Sequence, residues 1–194
     1  MAYGSIYRVP LRRRREGKTN YYKRRDMMKS NRIRLIIRRT TKHMRVQFVE
    51  ALPNGDVTLS ATASPQLNNF NWNLSCGNIP AAYLTGYLAG KQAIKAGVTD
   101  AILDMGLQSN TKGSRIYAAL KGVIDAGVNV PASDSIYPSE DVINGSHIKT
   151  ISEHVKNEDS KNFKKVYAKY HSAKVKPEKL AGHVAATKGA IDKL

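Results

Sequence analysis

Arg32-Ile33-Arg34-Leu35-Ile36-Ile37-Arg38-Arg39, then Met44-Arg45-Val46-Gln47-Phe48 and, past Pro53-Asn54-Gly55-Asp56, Val57-Thr58-Leu59-Ser60-Ala61-Thr62-Ala63, is the stretch that decides the fold. The first segment is rich in β-branched residues. The second alternates Met44, Val46 and Phe48 with Arg45 and Gln47, the period of a half-buried strand. Asn54-Gly55 signals a hairpin, because a tight primed turn needs positive φ at its centre. In the third segment the alternation puts Val57, Leu59, Ala61 and Ala63 inward and Thr58, Ser60 and Thr62 outward. Residues 32–63 therefore predict a three-stranded antiparallel meander, with Thr40-Thr41-Lys42-His43 as its first connection.

Beyond the meander, residues 64–77 read as a loop holding the lone Trp72. Asn78 can cap a helix with Pro80 in its first turn and Gly97 at its end, and Gly86 and Gly90 give it a smooth side for close packing against a sheet. Thr99 to Met105 predicts a short strand, Ser114 a second helix cap, and Gly127 a stop before a strand at Val128 to Val130. Strand, helix, strand implies a right-handed parallel crossover. The reading is an α/β fold, a mixed sheet formed by the meander followed by α-β-α-β. After Pro131 the apolar stripes are short (Ile148, Ile151 and Val155; Phe163, Val166, Tyr167 and Tyr170; Leu180, Val184 and Ile191). They are too narrow for an independent core and predict a helical extension that packs on the main body, on RNA or on a neighbouring protein.

Upstream of the meander the texture is different. The first 45 residues hold 16 Lys and Arg against only Glu16 and Asp26, a net +14, whereas residues 46–150 are net −2 and 151–194 net +5. A basic end joined to a near-neutral centre says that one end meets a polyanion and the middle folds. Residues 1–30 have no sustained apolar period, so the expectation is an extended, self-repelling arm. The division is a basic arm at 1–30, an α/β core at 31–132 and a helical extension at 133–194. No run approaches the roughly 20 apolar residues of a membrane helix. A single cysteine, Cys76, excludes an intramolecular disulfide and a thiolate metal cluster, which suits a reducing cytoplasm.

Three groups of residues can meet a polyanion. In the arm, Arg12, Arg13, Arg14, Arg15, Lys18, Lys23, Arg24 and Arg25 neutralise phosphates, while Tyr21 and Tyr22 offer faces to an unstacked base. On the sheet, Arg32, Arg34 and Arg38 share one parity and Arg45 joins them with Gln47, a basic stripe that ends at Arg39, Thr40, Thr41, Lys42 and His43 of the hairpin. At the second helix, Asn110, Thr111, Lys112, Ser114 and Arg115 surround an N-terminus, a natural phosphate seat. It is not a P-loop, because the GxxxxGK[ST] spacing is absent. A solvated basic tail, an ordinary exposed sheet face and a plain helix cap are the respective alternatives, and composition does not choose between RNA, DNA and anionic lipid. Asp56, Asp100 and Asp104 at strand ends could hold two Mg²⁺ ions for phosphodiester hydrolysis, as in nucleases with an RNase H-like sheet, which makes a metal-dependent RNA-processing enzyme the competing reading.

Arg12-Arg13-Arg14-Arg15-Glu16-Gly17-Lys18-Thr19-Asn20-Tyr21-Tyr22, Arg39-Thr40-Thr41-Lys42-His43, Gly77-Asn78-Ile79-Pro80-Ala81-Ala82-Tyr83-Leu84-Thr85-Gly86, and Leu103-Asp104-Met105-Gly106 through Ala118-Ala119-Leu120-Lys121-Gly122 occur in that order. Together they resemble the large-subunit ribosomal protein that binds 5S rRNA, in its archaeal and eukaryotic form. The resemblance runs from the arm to about Ser133 and continues more loosely through Tyr137-Pro138-Ser139-Glu140 and the Phe163 to Tyr170 region. It implies a non-catalytic, cofactor-free protein of the cytoplasmic large subunit, with an RNase H-like sheet used as an RNA platform and Asp104 as a structural residue. It also implies 5S rRNA, the large rRNA and ribosomal proteins of the central protuberance as partners. The family's RNA contacts would fall on Arg12 to Arg15, Lys18, Tyr21 to Arg25, Arg38 to His43 and Asn110 to Arg115. The longer insertions and C-terminal region of eukaryotic members are missing.

Overall fold

Four strands are made where the apolar alternation lies: β1 Arg34–Arg39, β2 Met44–Leu52, β3 Gly55–Ala63 and β4 Ile102–Asp104. The structure, a computed structural model, describes residues 4–158, 163, 165–173 and 175–194. The sheet order is β3-β2-β1-β4, with β1 antiparallel to β2, β2 antiparallel to β3, and β4 parallel to β1. Asn78 Oδ1 accepts the Ala81 N–H at 3.0 Å and starts α3, Ile79–Lys95, whose second residue is Pro80. The helix Arg115–Asp125, numbered α4, follows β4. These two helices cover one face of the sheet, α3 over β2 and β3 and α4 over β1. Leu35, Ile37, Val46 and Phe48 meet Leu84, Leu88, Ile116, Leu120 and Val123 there, all fully buried.

Register corrects the expected parity of β3. Val46 pairs with Thr62 and Phe48 with Ser60, and opposed residues share a face. The hydroxyls of Ser60 and Thr62 therefore point to the helix side, where Thr62 Oγ1 donates to Gln92 Oε1 at 2.6 Å. Val57 and Leu59 are exposed on this edge strand, and the register slips between Phe48 and Val49. A repeat of valine, leucine and alanine looks apolar on one side, but the partner strand decides which side is covered. The strand expected at Val128 to Val130 is reduced to one parallel bridge, Asp100 to Asn129, since the chain turns away at Pro131 before a ladder can grow. The smooth face of α3 packs on α4 rather than on the sheet: a methyl group at Gly86 would lie 1.9 Å from the Ala119 carbonyl oxygen. Residues Ser64–Phe70 of the expected loop form a 3-10 helix, and Trp72 is fully buried, stacked on His183 with ring centroids 5.8 Å apart.

The described part of the arm is helical rather than extended. Arg12–Arg15 form a single turn, α1, and Tyr21–Lys29 form α2. Asn20 Oδ1 accepts the N–H groups of Tyr22 at 3.1 Å and Lys23 at 3.3 Å, a cap that satisfies two of the donors a helix start leaves open. Residues 21–29 contain no glycine, proline or β-branched side chain to oppose the helix. Neither arm helix buries a residue fully, so there was no apolar stripe to announce them.

C-terminal to the sheet lie α5 Glu140–Asn144, α6 Ser146–Glu158, α7 Ala168–Ser172 and α8 Leu180–Asp192. Residues 159–162, 164 and 174, which fall within the expected Phe163 to Tyr170 stripe and its surroundings, lie outside the description. Of the three places open to the tail, α8 takes the main body. Leu180, Val184 and Ile191 are buried with the central core. Lys188 Nζ donates to the Tyr83 hydroxyl at 3.0 Å, Tyr83 donates to Asp125 Oδ2 at 2.9 Å, and Lys91 pairs with Asp192 at 3.0 Å. Burial and the neighbouring Asp125 carboxylate push the Tyr83 hydroxyl well above its ordinary pKa, so it stays a donor.

Candidate nucleic-acid interface

The face of the sheet away from α3 and α4 carries Arg34, Ile36 and Arg38 of β1 beside Arg45 and Gln47 of β2, because Arg38 opposes Arg45 and Ile36 opposes Gln47. The stripe inferred from parity is thus geometrically present, but two of its arginines are spent inside the protein. Arg34 is only 1% exposed. Its Nη2 lies 2.7 Å from Asp56 Oδ2, in ion-pair contact though out of line for a hydrogen bond, and its Nη1 donates to Asp104 Oδ2 at 3.4 Å. Arg38 Nη2 donates to Asp104 Oδ1 at 2.9 Å and Nη1 to the Asp104 carbonyl. Arg24 of α2 completes the row, its Nη2 contacting both Asp56 oxygens at 2.9 Å. Arg24, Asp56, Arg34, Asp104 and Arg38 form a chain of alternating charge that ties the arm to the sheet. This corrects the assignment of Arg34 to RNA contact: a guanidinium buried between two carboxylates does not reach a phosphate. Burial raises the Asp56 pKa, but Arg34 and Arg24 outweigh it and hold the carboxyl below its ordinary value.

Arg115, half-buried, is also engaged by the protein itself. Its Nη1 donates to the Gly77 carbonyl at 2.7 Å, with the Thr40 and Thr41 carbonyls at 3.4 Å each, so it clasps the hairpin to the start of α3. The seat at the α4 start is partly filled by the protein's own groups: Gly113 N–H donates to the Ile136 carbonyl at 2.9 Å, and Asn110 Oδ1 accepts the Tyr117 hydroxyl. Ser114 precedes α4 without making a side-chain cap, while Thr111 and Lys112 remain exposed. The hairpin is tight, with Thr40 N–H donating to the His43 carbonyl at 2.8 Å and His43 N–H to Thr40 Oγ1 at 3.0 Å, which leaves Thr41 and Lys42 at an exposed tip. Arg39 Nε donates to Gln108 Oε1 at 3.2 Å.

The arm keeps its cations outward. Arg12, Arg14, Arg15, Lys23 and Arg25 are exposed, as is Arg32 before β1 and Arg45 on β2. Lys18 pairs with Glu16 at 2.8 Å, and Arg13 Nε donates to Thr19 Oγ1 at 2.9 Å. The guanidinium carbons of Arg14 and Arg25 sit 5.4 and 5.9 Å from the Tyr22 ring centre, so that ring already has cationic company, and Tyr21 is half-buried. Between the arm helices and the open sheet face lies a cleft of about 630 Å³ whose lining includes Arg13, Lys23, Arg24, Ile36, Arg38 and Gln47. Sequence reading places Asp56 in the hairpin turn and weighs it only as a metal ligand, so its ion pairs are missed; nothing beside it in the chain signals them, because no Lys or Arg lies between Arg45 and Lys91. Asp104 fits the structural role expected of it, since its Oδ1 also accepts the Gly106 N–H at 2.8 Å.

A basic helix tied to one face of a mixed sheet by the Arg24–Asp56 ion pair, with the remaining arm cations turned outward, defines a protein built to meet a polyanion. A family model described as ribosomal large subunit proteins 60S L5 and 50S L18 matches residues 5–101 and 95–133. The large ribosomal subunit protein uL18 of Thermofilum pendens is 43% identical over 192 residues, covering 99% of this chain and 98% of that protein. Its counterpart in Aeropyrum pernix is 45% identical over 193 residues, covering 99% and 90%. The chain belongs to this family of large-subunit ribosomal proteins and is a structural component of the ribosome.

Proposed function

We propose that the chain binds 5S rRNA and helps attach it to the large rRNA in the central protuberance, beside other ribosomal proteins. Family membership supports the ribosomal setting, and the observation that carries the RNA reading is the basic cleft formed where α1 and α2 lie over the open sheet face. The sheet, of RNase H-like kind, serves as a rigid platform; residues 1–30 add electrostatic grip, 31–132 give the fitted surface and 133–194 brace it. Arg12 to Arg15, Lys23, Arg25, Arg32, Lys42, Arg45 and Lys112 meet phosphates, while Arg24, Arg34, Arg38 and Arg115 hold the surface in shape. The protein does not catalyse RNA cleavage. Asp56 and Asp104 are each engaged by two arginines, and a carboxylate so engaged is a poor Mg²⁺ ligand.

Specificity on this reading comes from RNA shape and loops, because the deep groove of A-form RNA is closed to side chains. Equilibrium binding of 5S rRNA and of a folded control RNA of equal length, at several salt concentrations, tests it. Clear preference for 5S rRNA at moderate salt supports the proposal. Equal binding of both RNAs, abolished alike by salt, leaves only a generic polyanion binder.

A further inference from the structure

We propose that the cleft between the arm helices and the sheet is a socket for one unpaired nucleotide of the bound RNA, base inward. The inference rests on the reading that this chain binds 5S rRNA and adds what that reading lacks, a place where a base rather than a phosphate is recognised. A groove that only tracked the RNA backbone would need charge and no apolar floor. This one has a floor: Ile36 of β1 and Met27 of α2 line it, each half-buried. Its volume of about 630 Å³ admits a nucleotide with room for water.

The polar groups are placed to suit. Gln47, half-buried on the same face, has a side-chain amide with no hydrogen-bond partner among the described residues, and an amide offers both donor and acceptor to a base edge. At the rim, Lys23 of α2 and Arg13 of α1 have no carboxylate partner among the described residues and can take the phosphate. Of the three carboxylates that line the cleft, Asp56 and Asp104 are neutralised by Arg24, Arg34 and Arg38, and Asp26 lies 3.7 Å from Arg25 and 3.8 Å from Lys29, so none is left to repel it. Unpaired bases are what proteins read in RNA, inserting them against apolar or aromatic surface and bonding their edges.

The test uses the full chain, intact 5S rRNA and the control RNA. Met27→Trp narrows the cleft from an exposed helix whose change does not touch the core, and Gln47→Leu removes the amide at nearly constant volume; thermal melting checks that both fold. Each variant is expected to weaken 5S rRNA binding about ten-fold, the scale of one inserted base, without altering the salt dependence or the affinity for the control RNA. Chemical probing of 5S rRNA should show one unpaired nucleotide protected by the unaltered chain and released by Met27→Trp. The socket is overturned if both variants bind 5S rRNA as the unaltered chain does, or if they weaken both RNAs equally. Failure of the unaltered chain to prefer 5S rRNA is a different result, which removes the parent reading and the socket with it.

Discussion

Asp56 is one carboxylate between two guanidiniums, one fixed in the sheet and one delivered by the arm. Its folded pKa is depressed, so over a window below the ordinary carboxylate value the unfolded chain binds more protons and stability rises with pH. The contribution is complete above about pH 4 and is lost as pH falls through the lower folded value. Asp56→Asn should therefore flatten the acid limb of a stability-versus-pH curve measured by denaturant titration. At neutral pH it should cost about 3 kcal/mol, because Arg34, buried at 1% exposure, is left with only a 3.4 Å contact to Asp104. An unchanged acid limb would show that the ion pair is not kept in solution. Arg115 makes a different kind of prediction. Arg115→Lys keeps the charge but shortens the side chain, which withdraws the donor that Nη1 sets among the Gly77, Thr40 and Thr41 carbonyls, a loss of about 1–3 kcal/mol. Hydrogen exchange should report it first at the Thr40 amide, which closes the hairpin on His43.

Among the elements, α2 and α3 owe their positions to unlike causes, and mutation separates them. α2 has no buried residue and stands on its Asn20 cap and the Arg24 contact. Asn20→Ala should cost the helix about 1 kcal/mol, visible as faster amide exchange over 22–25 with little change in global melting. α3 is held by shape: Gly86→Ala drives a methyl into the Ala119 carbonyl, and overpacking of that kind costs about 1–3 kcal/mol or more. A drop in melting temperature of only a degree would mean that α3 and α4 slide apart at little cost. The same contrast explains what the sequence disclosed. The meander, the Asn78 cap and α4 were legible because burial leaves a period, and Met44, Val46 and Phe48 show it. The arm helix was not, since a solvated helix needs only a cap and the absence of breakers. The inward side of β3 was not either, because Val57 and Leu59 look like core until register gives that place to Ser60 and Thr62. Arg34 and Arg38 were found as a basic stripe, but their neutralisation depends on carboxylates 22 and 66 to 70 residues away in sequence.

For the molecule as a whole, formal charge overstates the charge available to RNA. The ten Lys and Arg before Ser30 include Lys18 and Arg24, which are held by Glu16 and Asp56, so at most eight can each release a counterion on meeting phosphate. Each such contact contributes about 0.7–0.9 to the slope of log affinity against log salt. A chain beginning at Ser30 should therefore bind 5S rRNA with a slope shallower by no more than about six or seven. Stability should respond differently. No residue of α1 or α2 is fully buried, and deleting them removes no core contact, only the Arg24 arm of the Asp56 pair. Melting should fall by the amount that Arg24→Ala causes in the full chain, while the salt slope falls far more than Arg24→Ala alone can produce. Measuring both quantities on both proteins divides the arm into one residue that holds the fold and the rest that hold RNA. If truncation lowers melting much further than Arg24→Ala does, the arm is part of the folded body and the division fails; if the slope does not move, the arm's cations do not touch phosphate.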